Sequence, residues 1–167
     1  MGVTDMRGDK KRNIKFNWIC NARQELLDKE ILLKMKDAGC KSIALGLESA
    51  NACTLKQMNK NIDISIFKDT VELIKKVGIG IRVNIMIGFP GESLSMAKNT
   101  LMFARALKPN AILLFVTAAY PGTELYRDAV NKKLIQDRWY LEKLSTDITL
   151  GRLKNNAFVP DKFSKKG

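Results

Sequence analysis

Histidine is missing altogether from these 167 residues. Its absence excludes Ser-His-Asp and Cys-His nucleophile systems, mixed Cys/His zinc sites and histidine general bases together. Proton transfer must then use Glu, Asp, Lys, Tyr, Cys or a cofactor. Cysteine is sparse, at Cys20, Cys40 and Cys53 only. No CxxC or CxxxCxxC spacing occurs, so the set predicts free thiols, neither a disulfide framework nor three thiolates offered by one short loop. Long apolar runs are lacking too, the longest being residues 111–120, well short of the roughly 18 residues that a membrane helix needs. The charged N-terminus has no apolar segment behind it, which predicts no secretory signal. The expectation is a soluble, cytoplasmic protein without membrane insertion.

Acidic residues are outnumbered, 17 Asp and Glu against 29 Lys and Arg, for a net charge of +12. Basic residues cluster in Arg7, Lys10, Lys11 and Arg12 and again in Lys162, Lys165 and Lys166. No basic stripe with interleaved aromatics is present, Arg138-Trp139-Tyr140 being the one notable pairing. Solvated faces and tails account for most of this charge, and an anionic substrate or an RNA partner stays open beside that reading.

What the chain does have is a strict alternation of strand-like and helix-period runs. Strands are predicted at residues 14–20, 42–47, 81–87 and 111–118. Between them fall a helix capped by Asp28 and stopped by Gly39, a loop or short helix, a helix from Ile64 to Gly78, and a helix capped by Ser93 that ends before Pro109. Inward faces are assigned to Ile31, Leu32, Met35 and Ala38, to Phe67, Val71, Ile74 and Val77, and to Ala97, Leu101 and Ala104. The turn at residues 120–123 leads into a last helix through Val130. Such a βα repeat demands a parallel sheet with right-handed crossovers. The domain expectation is a basic segment over 1–13, a partial (β/α) barrel over 14–150 and a basic, flexible tail over 151–167. Leu134, Ile135, Trp139, Leu141 and Leu144 are expected to pack back on the sheet.

Side-chain alternation separates the two faces of each strand. Ile43, Leu45 and Leu47, and likewise Val83, Ile85 and Ile87, must pack on helices. Ser42, Ala44, Gly46 and Glu48, with Arg82, Asn84, Met86 and Gly88, then share the opposite face. A filled barrel interior would place bulky branched residues there. Small residues beside Glu48 and Asn84 instead leave room and hydrogen-bonding groups for a bound molecule, or else Glu48, Asn84 and Arg82 satisfy one another internally. The strand ends, where βα proteins keep their sites, supply residues 20–23, 48–49, 88–91 and 120–122.

The motifs Trp18-Ile-Cys-Asn-Ala-Arg23, Met35-Lys-Asp-Ala-Gly-Cys40, Leu45-Gly-Leu-Glu-Ser49, Met58-Asn-Lys60, Asn84-Ile-Met-Ile-Gly-Phe-Pro-Gly-Glu92 and Tyr120-Pro-Gly-Thr123 occur in that order. Together they resemble radical S-adenosylmethionine (SAM) enzymes, above all the subgroup in which a cobalamin-binding domain precedes the barrel, with methylthiotransferases and oxygen-independent coproporphyrinogen oxidases as relatives. The resemblance covers residues 14–130. It implies an α/β fold of about four parallel βα units, half of a TIM-like radical SAM barrel. It also implies that Glu48 contacts SAM near its ribose, that Lys60 reaches the methionine carboxylate, that Asn84 bonds the ribose hydroxyls, and that the turn with Gly88 and Pro90 lies against the adenine. Ser49 and Arg23 join this set, Arg23 near the sulfonium or the substrate, and Tyr120, Gly122 and Thr123 form the substrate rim.

The same resemblance implies a 4Fe-4S cluster, whose CxxxCxxC loop this sequence does not contain. The first strand resembles the family's third, so the chain is expected to be the back half of such an enzyme, inactive alone. A cluster-bearing front half, or self-association through open sheet edges, is the expected partner, and cobalamin is a further cofactor that the resemblance admits. The alternatives are a binding module that has lost the chemistry and an unrelated βα-barrel lyase working through Lys60 or Glu48.

Overall fold

In the computed structural model residues 16–133 and 135 are described. Four strands, β1 (Trp18–Ala22), β2 (Cys40–Glu48), β3 (Gly80–Ile87) and β4 (Ala111–Val116), form one sheet in the order β1-β2-β3-β4. Every neighbouring pair is parallel. The connections carry α1 (Lys29–Asp37) after a single 3-10 turn at Gln24–Leu26, then α2 (Ala52–Gln57) and α3 (Ile64–Val77), then α4 (Leu94–Ala106), and α5 (Glu124–Asn131) follows β4. This is the partial (β/α) barrel that the repeat predicts.

Local signals set the helix ends. The Asp28 carboxylate accepts the Ile31 N–H at 2.8 Å, and Ser93 and Thr123 accept Met96 N–H and Tyr126 N–H at 3.3 and 3.1 Å, each answering a helix-start donor that has no intrahelical partner. Gly78, at φ +80°, ends α3, and the Ile79 N–H closes back on the Ile74 carbonyl at 3.2 Å, as the Schellman arrangement requires.

One face of the sheet is dry. Ile43, Leu45, Leu47, Val83 and Ile85 are wholly buried against Leu32 of α1 and Phe67, Val71 and Ile74 of α3. The expected inward faces hold for α3 throughout and need two corrections elsewhere. Ile31 and Leu101 are exposed, because each lies on the flank of the narrow stripe that meets the sheet. Leu32 carries the contact in α1, and in α4 the buried stripe is Ala97, Thr100 and Ala104.

β1 starts at Trp18 and runs to Ala22, further than the predicted end at residue 20, and β4 stops at Val116. Residues 14 and 15, the segments 1–13 and 151–167, and Leu134, Trp139, Leu141 and Leu144 lie outside the described residues. Ile135 packs with Leu125 and Val130 on a small separate cluster of Ala119, Tyr126 and Ala129. That cluster lies at the carboxyl end of β4, and Leu113, Leu114, Phe115 and Val116 stay exposed on both faces of the strand.

Candidate functional site

The face opposite the dry core is built row by row from the parallel register. Asn21, Ala44, Arg82 and Ala111 lie abreast, then Gly46, Asn84 and Leu113, with Met86 beside Phe115. Apart from Arg82, Asn84 and Met86, the central strands offer small side chains here, so this face is open. Arg82 and Asn84 do not satisfy each other. Arg82 Nε and Asn84 Oδ1 are both buried and find no hydrogen-bond partner among the described residues. Glu92 Oε1 and Thr117 Oγ1, just beyond the ends of β3 and β4, are in the same condition. Four of the six such atoms therefore gather on β3, β4 and their carboxyl ends. Buried polar atoms are ordinarily paired, and a concentration of unpaired ones is where a polar ligand gains most.

Glu48 is the geometric centre of the site. The register slips between Gly46 and Glu48, while alternation keeps Leu47 wholly buried and sets Glu48 on the open face. Its φ is +60°, and the Ser49 N–H bonds the Leu47 carbonyl at 2.7 Å across it. A three-residue turn with positive φ at a non-glycine centre is a strained conformation, costing on the order of 1–3 kcal/mol, and such strain collects at functional sites. The Glu48 side chain is 16 % exposed and its Oε1 lies 3.6 Å from Lys60 Nζ.

Lys60 is aimed by the end of α2. Asn59 adopts φ +54°, and the Lys60 N–H reaches back to the Leu55 carbonyl at 2.8 Å. This cap fixes where the lysine leaves the backbone.

The strained turn is clamped from behind. Ser49 is fully buried, and its Oγ lies 3.3 Å from Thr100 Oγ1 and accepts the Asn51 N–H at 3.1 Å. Thr100 Oγ1 also accepts the Ala50 N–H at 3.1 Å, and the Asn51 amide donates to the Met96 carbonyl at 3.0 Å. The structure thus commits the Ser49 hydroxyl to α4 and away from the open face.

Beyond β3 the chain turns through Gly88 and Gly91, at φ +80° and +83°. The Glu92 carboxylate reaches back to accept the Gly88 N–H at 2.7 Å. Burial pushes the Glu92 pKa up, against the lowering effect of the Gly88 and Phe89 N–H groups. Pro90 is half-buried within this turn. Thr123 caps α5 and its hydroxyl donates to the Tyr120 carbonyl at 2.6 Å; Tyr120 and Gly122 are exposed. Arg23, at the end of β1, is exposed and pairs with Glu25.

The structure therefore brings Glu48, Lys60 and Asn84 to one face and puts the Gly88 turn at its rim, while Arg23 and Tyr120 lie in solvent. Sequence reasoning missed Thr100 and Glu92. A threonine inside a helix gives no sign that it serves a distant turn; a glutamate straight after Gly-Phe-Pro-Gly could have suggested one that folds back on it.

No three of the cysteines and acids among the described residues converge as a metal site. Cys20 is half-buried, Cys40 buried and Cys53 exposed. Burial pushes the Cys40 thiol up to about 11, the reverse of what a metal-binding thiolate needs. Among the described residues no helix is long and apolar enough to cross a membrane.

The profile of the Radical SAM superfamily matches residues 4–104. The uncharacterized methyltransferase PH0819 of Pyrococcus horikoshii is 28 % identical over 157 residues, which are 93 % of this chain and 33 % of that protein. The heme chaperone HemW of Buchnera aphidicola is 26 % identical over 149 residues, 83 % of this chain and 40 % of that one. In three dimensions the chain resembles the radical S-adenosylmethionine methyltransferase TsrM of Kitasatospora setae, solved with cobalamin and a [4Fe-4S] cluster bound. The TM-score is 0.59 at 18 % identity, over 67 % of this chain and 22 % of that one. The chain thus spans less than half the length of each.

Proposed function

Since the chain belongs to the radical SAM superfamily, we propose that its open sheet face is one wall of a SAM site. The unpaired polar atoms on β3 and β4 beside the strained Glu48 carry this reading. In it Glu48 and Asn84 hold the ribose, Lys60 takes the methionine carboxylate by a charge-assisted bond, and the turn with Gly88 and Pro90 admits the adenine close to the backbone. The Ser49 contribution is through its backbone position alone. Arg23, Tyr120, Gly122 and Thr123 stand where a substrate would enter. An anionic substrate suits the charge of +12, and cobalamin enters through the likeness to TsrM.

The residues present do not fit a 4Fe-4S cluster. We therefore place the cluster ligands outside these 167 residues, in further sequence or in a second polypeptide, and read the chain alone as unable to make the radical. The exposed edges, Phe16 and Ile19 on one side and β4 on the other, support docking of such a partner or self-association. Light scattering behind size exclusion tests this, and a stable monomer of 18.8 kDa would count against it. The missing ligands also favour a second reading, a SAM-binding module without chemistry. A cluster-bearing partner that restores SAM cleavage would exclude it. The superfamily match sets aside the unrelated lyase.

Calorimetry with SAM tests the wall itself. Glu48→Gln and Lys60→Met should each weaken binding by about 10–100-fold, the worth of one hydrogen bond to a charged group. Unaltered affinity in both variants would refute the assignment.

A further inference from the structure

We infer that Gly46 is a positioning residue, whose missing side chain forms the seat on which the Glu48 carboxylate rests. The role of that carboxylate toward SAM rests on the function proposed above; the seat itself does not.

The observation is a close approach. A Cβ built on Gly46 would stand 2.6 Å from Glu48 Oε1 and 3.3 Å from its Cδ, and the third nearest atom is the Glu48 Cγ. Real Cβ contacts do not come this near, so any side chain at position 46 and the present Glu48 rotamer exclude each other. Backbone conformation does not demand glycine here. Gly46 has no positive φ and pairs within the strand ladder with Asn84, a place where alanine would ordinarily be an improvement, since glycine loses more chain entropy on folding. The strand thus gives up propensity at the one residue that the carboxylate covers.

Three features converge on this arrangement. Alternation returns Glu48 to the face of Gly46 two residues on, and the ladder slips between the two. The turn at φ +60° bends the chain so that the side chain folds back over Gly46. Lys60 Nζ lies 3.6 Å from the same Oε1. Because the obstacle to a larger residue is the tip of one flexible side chain, alanine at this position leaves the fold intact and moves the carboxylate off its seat.

A cycle of four proteins tests this: the wild type, Gly46→Ala, Glu48→Ala and the double variant, each followed by urea unfolding and by calorimetry with SAM. In the presence of Glu48, Gly46→Ala should lower the urea midpoint; in the Glu48→Ala background the same change should leave it unchanged or raise it. SAM affinity should fall about tenfold on Gly46→Ala, the worth of one misplaced charged hydrogen bond, with no further fall when Glu48 is already gone. An identical effect of Gly46→Ala on the midpoint in both backgrounds would overturn the seat. Equal SAM affinity of the wild type and Gly46→Ala would overturn its positioning role. A wild type without SAM affinity would count against the proposed function, while the unfolding cycle would still decide the seat.

Discussion

Replacing Thr100 by valine keeps the shape of a fully buried side chain and removes one oxygen. That oxygen accepts the Ala50 N–H and stands within hydrogen-bond distance of Ser49 Oγ, and both are groups of the strained turn. The Asn51 amide also donates to that oxygen at 3.4 Å, but it keeps its bond to the Met96 carbonyl, so its loss is small. Leaving the Ala50 N–H unpaired costs about 1–3 kcal/mol, and the Ser49 hydroxyl about 1 kcal/mol more. The sum, about 3 kcal/mol, lowers Tm by roughly 6–12 °C in a chain of this size. Thr100→Ser supplies the control, because it keeps the oxygen and gives up one methyl, worth about 1 kcal/mol. Urea unfolding of both variants checks the argument. A Thr100→Val protein as stable as Thr100→Ser would refute the clamp, and so would a midpoint within experimental error of the wild type.

Phe67 is wholly buried, and Phe67→Ala should cost about 3–5 kcal/mol in the same assay. Glu92 has a raised pKa because of burial, so the folded chain holds this proton more tightly than the unfolded chain, whose carboxyl titrates near 4.5. Its contribution to stability is full below that value and declines as pH rises toward the folded pKa; in Glu92→Gln the decline should be absent from stability measured across this range. Exposed Cys53 should react first with iodoacetamide at mild alkalinity and Cys40, buried with a pKa near 11, last, as mass spectrometry of the labelled peptides would report.

The sheet was legible because both periods were clean. Alternation put Ile43, Leu45, Leu47, Val83 and Ile85 on the buried face, and Phe67, Val71, Ile74 and Val77 marked the stripe of α3 without error; Ile87, at the end of β3, is only half-buried and joins no core cluster. Apolar character alone misled at Ile31 and Leu101, since a short helix on a sheet buries a narrow arc and leaves its flanks wet. On the open face, Glu48 and Asn84 stand out in the sequence because alternation sets polar side chains there beside the small Ser42, Ala44 and Gly46. The task of Ser49 does not, as its hydroxyl meets Thr100, 51 positions away, and no local pattern encodes that pairing. Nor does Gly46, which reads as one more small residue until the position of the neighbouring carboxylate is known.

The spatial order of the strands is the order of the chain. Each strand pairs with the one made just before it, so no strand waits for a remote segment and every new pairing closes a loop of one βα unit. Parallel pairing of this kind is slow, because each crossover must close before its strand is rewarded, yet the order lets the sheet grow vectorially as the polypeptide leaves the ribosome. At each stage the newest strand is the adhesive edge, and among the described residues the last is β4, whose apolar side chains are uncovered. An uncovered apolar edge is where a sheet aggregates, so co-expression with a polypeptide that pairs with β4 should raise soluble yield more than slower synthesis does.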